Sequence, residues 1–192
     1  MGQGHKFDIK KLDRLKDPER LKYLNPDKIW EVIGGDHVTT IVDIGAGIGF
    51  FAIPFSRKIG SGSVYACDIK DEMLMVLEEA IRQEGVNNVI PLKCEEVKIP
   101  LENKVADLVI MINLHHELDH PEDSLKECQR LLRPGGCLAI IDWNTIETPS
   151  GPPPHVRIPP EKVQSQLADA GFGNIQSHEL LPFHYAITAY VI

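Results

Sequence analysis

No stretch of this chain is apolar for long enough to span a bilayer, and its first residues are too polar for a signal peptide, so a cytoplasmic protein without a membrane span is expected. Positive charge is also in short supply. Twenty basic residues face 28 acidic ones, and the net charge of −8 argues against nucleic acid or an anionic membrane as the main partner. The four cysteines, Cys67, Cys94, Cys128 and Cys137, have no paired spacing, which excludes a disulfide frame or a zinc knot and leaves buried thiols in a reducing compartment. There is no internal repeat, and the prolines at 152–154 and 159–160 mark a stiff connector, not a low-complexity tract. What is present is an ordinary globular composition, 43% hydrophobic and 25% charged over 192 residues, suited to one domain spanning 1–192. Nothing in it speaks to oligomeric state.

One further absence is more specific. Between residues 38 and 56 there is no lysine or arginine, yet this is where a β-branched run (39–44) meets three glycines at alternate positions, Gly45, Gly47 and Gly49. A strand, a tight turn open to close backbone approach and a helix start are expected. The spacing is G-x-G-x-G, not the G-x-G-x-x-G of dinucleotide binders, which disfavours a nicotinamide oxidoreductase. Asp43 stands just before the turn. A carboxylate without a cation is poor for phosphate and good for a ligand carrying an ammonium and a sulfonium, such as S-adenosyl-L-methionine.

Elsewhere, strand and helix patterns alternate. Strands are expected at 39–44, 63–67, 88–93, 106–112 and 137–142, and helices at 50–59, 71–84 and 121–132, with Gly85 and Pro134-Gly135-Gly136 as stop signals. Such alternation implies a parallel sheet covered on both faces. No helix is expected between 88–93 and 106–112. The tail reads as a helix over 159–171 followed by two strands, 174–180 and 183–192, closing as an antiparallel hairpin. Residues 1–35 are polar and helical in flavour, with Pro18 and Pro26 at helix starts.

The segments VDIGAGIGF (42–50), SVYACDIK (63–70), ADLVIMINLHHEL (106–118), LLRPGG (131–136) and CLAIIDW (137–143) together resemble the class I S-adenosylmethionine-dependent methyltransferases, near the ubiquinone/menaquinone C-methyltransferase group. The resemblance implies an α/β, Rossmann-like sheet of seven strands in the order 3-2-1-4-5-7-6, strand 7 antiparallel, with helices on both faces. It implies methyl transfer to a small-molecule acceptor by in-line displacement. The alternatives are a non-catalytic S-adenosylmethionine-binding module and an enzyme acting on a thiol or metalloid acceptor. Cofactor contacts are expected from Asp43, Gly45, Ala46, Gly47 and Gly49, from Asp68 on the ribose, from Ile69 and Met73 on the adenine, from Glu95 and Glu96 beside the adenine edge, and from Asn113 at the methionine end. Met73 is equally consistent with ordinary packing. Cys94-Glu95 stands where the family more often has Gly-Asp. The 1–27 segment, with Phe7, Leu15, Arg20 and Tyr23, resembles a lid.

His116 and Asp142 fall where the acceptor mouth is expected and are the catalytic candidates, His116 as a base or acceptor-orienting group, or instead as a structural partner of Glu117. Residues 116–120 also spell H-E-x-x-H, a zinc-protease string. That motif needs both histidines on one helical face, and Pro121 disfavours the helical conformation at His120, so no metal site is expected. Trp143 suits either an acceptor wall or the core edge, and Arg157 either an anionic acceptor or solvent.

Overall fold

The structure, a computed structural model, describes residue 15 and residues 17–35, 37–179 and 181–192. Two short helices, α1 (Arg20–Tyr23) and α2 (Pro26–Ile33), precede strand β1 (Thr40–Ile44). There follow α3 (Ala52–Lys58), β2 (Ser63–Asp68), α4 (Asp71–Glu84), β3 (Val89–Lys93), β4 (Ala106–Ile112), α5 (Pro121–Leu131), β5 (Leu132–Trp143), α6 (Pro160–Asp169), β6 (Phe172–His178) and β7 (His184–Val191). One seven-stranded sheet results, ordered β3-β2-β1-β4-β5-β7-β6. Every pair is parallel except β5–β7 and β6–β7. The expected topology and the C-terminal hairpin are both present, and no helix intervenes between β3 and β4.

Local chemistry sets the helix ends. Asn25 Oδ1 accepts from the backbone N–H of Asp27 and of Lys28, capping α2 with proline at its first position. Gly85 closes α4 in a left-handed conformation, φ 65°. Alternating side chains split the core between the two faces. Ile41, Leu108, Ile110 and Ala139 pack against α2, α3 and α4, while Val42, Val109, Met111 and Ile140 pack against α5 and α6.

Two boundaries depart from expectation. Strand β5 begins at Leu132, not 137, and runs through Pro134-Gly135-Gly136. Ala106 pairs with Leu132 but Leu108 with Cys137, so the intervening residues are accommodated as an irregularity that a stop signal cannot distinguish from a turn. Strand β6 starts at Phe172, ahead of the expected 174. Most of the lid expected over 1–27 lies outside the described residues; within its described part Arg20, Leu24 and Pro26 are buried. Among the described residues no helix is long and apolar enough to cross a membrane.

Candidate active site

The site lies at the carboxyl ends of β1, β2, β4 and β5, where the strands hand over to loops. After Ile44 the chain turns through Gly45, Gly47 and Gly49, all at positive φ (73°, 55° and 84°). The backbone N–H groups of Gly45 and Ala46 both donate to the Cys67 carbonyl at 2.9 Å, tying the turn to β2. A side chain at Gly45 would strike Leu114, and one at Gly49 would strike Leu77 and Ile53. Gly47 differs, because the nearest atom to a Cβ there is 3.9 Å away, so its outer face is open to a ligand.

Asp68, at the end of β2, reaches across to this turn. Its Oδ2 accepts from Gly47 N–H (3.0 Å) and its Oδ1 from Lys70 N–H (2.9 Å). A carboxylate has further lone pairs beyond these two bonds. Burial raises the Asp68 pKa, opposed by those same backbone bonds. Asp43 is 2% exposed, and burial, with the nearby Asp68 charge, pushes its pKa to about 8 against a hydrogen bond from Ala52 N–H. Asp43 Oδ2 and Asn113 Oδ1 are buried without a hydrogen-bond partner among the described residues. Asp43 lies in β1 and Asn113 directly follows the adjacent strand β4, in the left-handed region at φ 56°. A strained residue and two unmet acceptors at adjacent strand ends mark a place built for a group with N–H donors and positive charge.

The other expected cofactor residues are more scattered. Ile69 is 38% exposed at the rim, whereas Met73 is buried in α4. Glu95 is exposed and its backbone pairs with Lys98. Glu96 is drawn to the start of α5, where its Oε1 accepts from His120 N–H at 2.6 Å.

His116 and Asp142 meet. A single 3₁₀ turn, His115–Glu117, follows β4, and it places His116 Nδ1 2.8 Å from Asp142 Oδ1. Since a carboxylate only accepts, Nδ1 carries the proton and Nε2 the lone pair. Asp142 is further fixed by His116 N–H on Oδ2 (3.0 Å) and by Trp143 N–H on Oδ1 (2.8 Å). Burial disfavours charge on the imidazole, but the Asp142 hydrogen bond and charge outweigh it, and the His116 pKa rises above its ordinary 6.5. Burial likewise opposes the Asp142 carboxylate, and its bonds to His116 win, lowering its pKa. The Glu117 carboxylate lies 3.8 Å from Nε2. His120 stands outside the turn with φ −128° and ψ 64°, so the H-E-x-x-H string has no shared helical face.

Strand β7 contributes residues that sequence reasoning missed. Antiparallel register sets Tyr185 opposite Asp142 and His184 opposite Trp143. His184 is 1% exposed with neither ring nitrogen paired among the described residues, and burial depresses its pKa to about 3. It packs at 4.0 Å from the Trp143 ring and stacks with Tyr23 at 6.1 Å. The available signal was two polar aromatics opening the last strand, beside a rim strand ending in Asp-Trp. Arg157 is committed to its own loop, is buried, and pairs with no carboxylate among the described residues. Its guanidinium donates to the carbonyls of Asn144, Ile146 and Pro152 and to Thr148 Oγ1.

Residues 42–140 match the methyltransferase domain family. A SAM-dependent methyltransferase from Aquifex aeolicus has the same architecture at TM-score 0.92 and 35% identity, over 97% of this chain and 100% of that one. A ubiquinone/menaquinone biosynthesis C-methyltransferase of Bordetella avium is 31% identical over 58% of this chain and 44% of its own length. The chain spans about half the length of the curated relatives it matches. The [4+2]-cyclase SpnF shares the fold at TM-score 0.74 with 17% identity, over 86% of this chain and 80% of that one.

Proposed function

The chain belongs to the class I S-adenosylmethionine-dependent methyltransferase family, and on that premise we propose that it methylates a small-molecule acceptor by in-line displacement, with His116 as the base. S-adenosylmethionine supplies an electrophilic methyl group on a positively charged sulfur. The chain's residues fit that donor. Gly47 offers an open backbone face, Asp43 and Asn113 offer unmet oxygens to its positive end, and Asp68 retains lone pairs for ribose hydroxyls. The work left to the protein is alignment of the reactants and exclusion of water. Arg20 and Tyr23, carried by the N-terminal segment, cover the site as part of a lid.

The observation that carries the reading is the His116–Asp142 pair, 2.8 Å apart at the strand ends with both side chains no more than 5% exposed. A base of this kind serves an acceptor whose nucleophile arrives protonated, a hydroxyl or an acidic carbon, and not a thiol that ionises on its own near pH ~8.5. That these relatives are ubiquinone/menaquinone biosynthesis C-methyltransferases makes an acidic ring carbon the first class to try. A cysteine-dependent metalloid chemistry finds no support in the four thiols. All are buried, and burial pushes Cys94 up to about 12 and Cys137 to about 11.

The test is a screen of candidate acceptors with radiolabelled donor, reading which extracted fraction carries the label. Label in a quinol-like or phenolic product, reduced in His116→Gln, supports the reading. Tight binding of S-adenosylhomocysteine with no label transferred to any acceptor would make the chain a binding module.

A further inference from the structure

Among the described residues two arginines are buried, and their donors are used differently. Arg157, 6% exposed, directs all five guanidinium N–H groups to oxygens at 2.6–2.9 Å. Arg20 is 9% exposed and, among the described residues, donates one side-chain hydrogen bond, from Nη1 to the Leu15 carbonyl at 2.7 Å, and makes no ion pair. Its guanidinium lies 4.1 Å from the centroid of the Phe50 ring. Burial lowers its pKa, partly offset by Tyr23 and Asp17. A buried cation is normally paired, and an aromatic face supplies only part of what water would.

The surroundings of Arg20 point to the missing partner. Phe50 directly follows the glycine turn, and a Leu15 methyl is the nearest atom, at 3.9 Å, to where a side chain at Gly47 would begin. The guanidinium is thus held by the two residues that flank the open face of the turn. The turn itself has acids, Asp43 and Asp68, and no cation between residues 38 and 56. Of these, Asp43, with its unmet Oδ2, suits the positive end of an amino-acid group. The same group carries a carboxylate, for which the turn has nothing and Arg20 has donors unpaired among the described residues, in a fork that matches carboxylate geometry.

We propose that Arg20 pairs with the α-carboxylate of the methionine moiety of the donor. The inference rests on S-adenosylmethionine being that donor. It makes helix α1 part of the cofactor site.

Calorimetry on the full chain tests it with two ligands, S-adenosylhomocysteine and its decarboxylated analogue, which keeps the adenosine, sulfur and amine. Wild type should prefer the carboxylate-bearing ligand by roughly 10- to 150-fold, the range of a charge-assisted hydrogen-bonded pair. Arg20→Gln should reduce the affinity for S-adenosylhomocysteine to that of the analogue and leave the analogue unchanged; Arg20→Lys should retain part of the preference. Equal affinity of wild type for the two ligands overturns the proposal, and so does an Arg20→Gln variant that weakens both alike, which is a structural role. Unchanged S-adenosylhomocysteine affinity in Arg20→Gln assigns the guanidinium to the acceptor and also overturns it. Failure of wild type to bind either ligand would instead strike the donor reading on which this one depends. Should Arg20→Gln lose its folded circular dichroism spectrum, the wild-type comparison decides alone.

Discussion

Replacing Asp142 with asparagine removes one charge and turns one oxygen into an amide nitrogen, in a side chain 1% exposed. Three N–H groups converge on that carboxylate: His116 Nδ1–H and Trp143 N–H on Oδ1, and His116 N–H on Oδ2. Whichever way the amide is turned, its NH₂ faces at least one of these donors. His116 Nδ1 escapes only by adopting the other tautomer, which puts the proton on Nε2 and removes the lone pair a base requires. Losing the charge-assisted bonds should cost about 1.5–3 kcal/mol of stability, or roughly 3–12 °C in Tm for a chain of this size. The catalytic loss should be larger, about 10²- to 10⁴-fold in kcat, with donor affinity retained. The decisive assay is the pH dependence of kcat/KM on one identified acceptor for wild type, Asp142→Asn and His116→Gln. Neutral imidazole is the active form, so the wild-type rate rises with pH through a midpoint above 6.5, because Asp142 raises the His116 pKa despite burial. Asp142→Asn should show that limb at lower pH with a depressed plateau, and His116→Gln should show no limb. An Asp142→Asn enzyme with the wild-type plateau and midpoint refutes the base assignment.

Asp68→Ala removes a carboxylate that both holds Gly47 N–H and is assigned to the ribose; calorimetry should show S-adenosylhomocysteine binding weakened by roughly 10- to 150-fold, and unchanged affinity removes the assignment. Gly47→Val fills the open face of the turn and strains a residue at φ 55°, so donor binding should vanish while circular dichroism still reports a folded sheet; retained affinity would mean the ligand does not approach there. His184→Phe should raise Tm more at pH 5 than at pH 8. The wild-type histidine, with its folded pKa near 3 against 6.5 unfolded, costs nothing above 6.5 and destabilises progressively as pH falls from there toward 3, so a variant with the wild-type pH slope contradicts the account. EDTA should leave methyl transfer intact, since His116 and His120 share no helical face; activity lost to chelation and restored by one divalent ion would reinstate them as ligands.

Much of the fold is legible because it rests on short-range rules. The apolar runs of β1, β2 and β4 are buried on both faces, and Gly45, Gly47 and Gly49 adopt the positive φ that their spacing announces. The start of β5 is hidden, because Pro134-Gly135-Gly136 breaks a helix and bulges a strand with the same residues. For the site, sequence order brings His116 and Asp142 to one rim, but their 2.8 Å contact depends on how the 3₁₀ turn folds back. Glu96 illustrates the converse, an acid expected beside the adenine edge whose Oε1 accepts from His120 N–H. Arg20, Tyr23 and His184 converge through tertiary contacts that no local pattern encodes.

The segment from Asn144 to Arg157 is organised around one side chain, and mostly through atoms common to all amino acids. Arg157 reads the carbonyls of Asn144, Ile146 and Pro152 and only one side-chain group, the hydroxyl of Thr148. The loop beside the acceptor rim therefore has a shape that is insensitive to most of its own sequence. Side chains at 145, 147, 149 and 150 can be rewritten to suit a different acceptor while the guanidinium keeps the path of the chain; Gly151, at φ 102° and with a Cβ's place only 2.9 Å from the Trp143 ring, cannot, and loss of Arg157 itself would release the whole span at once. For redesign of acceptor preference, this is the part of the molecule where variation is cheapest, provided Gly151 and Arg157 are left alone.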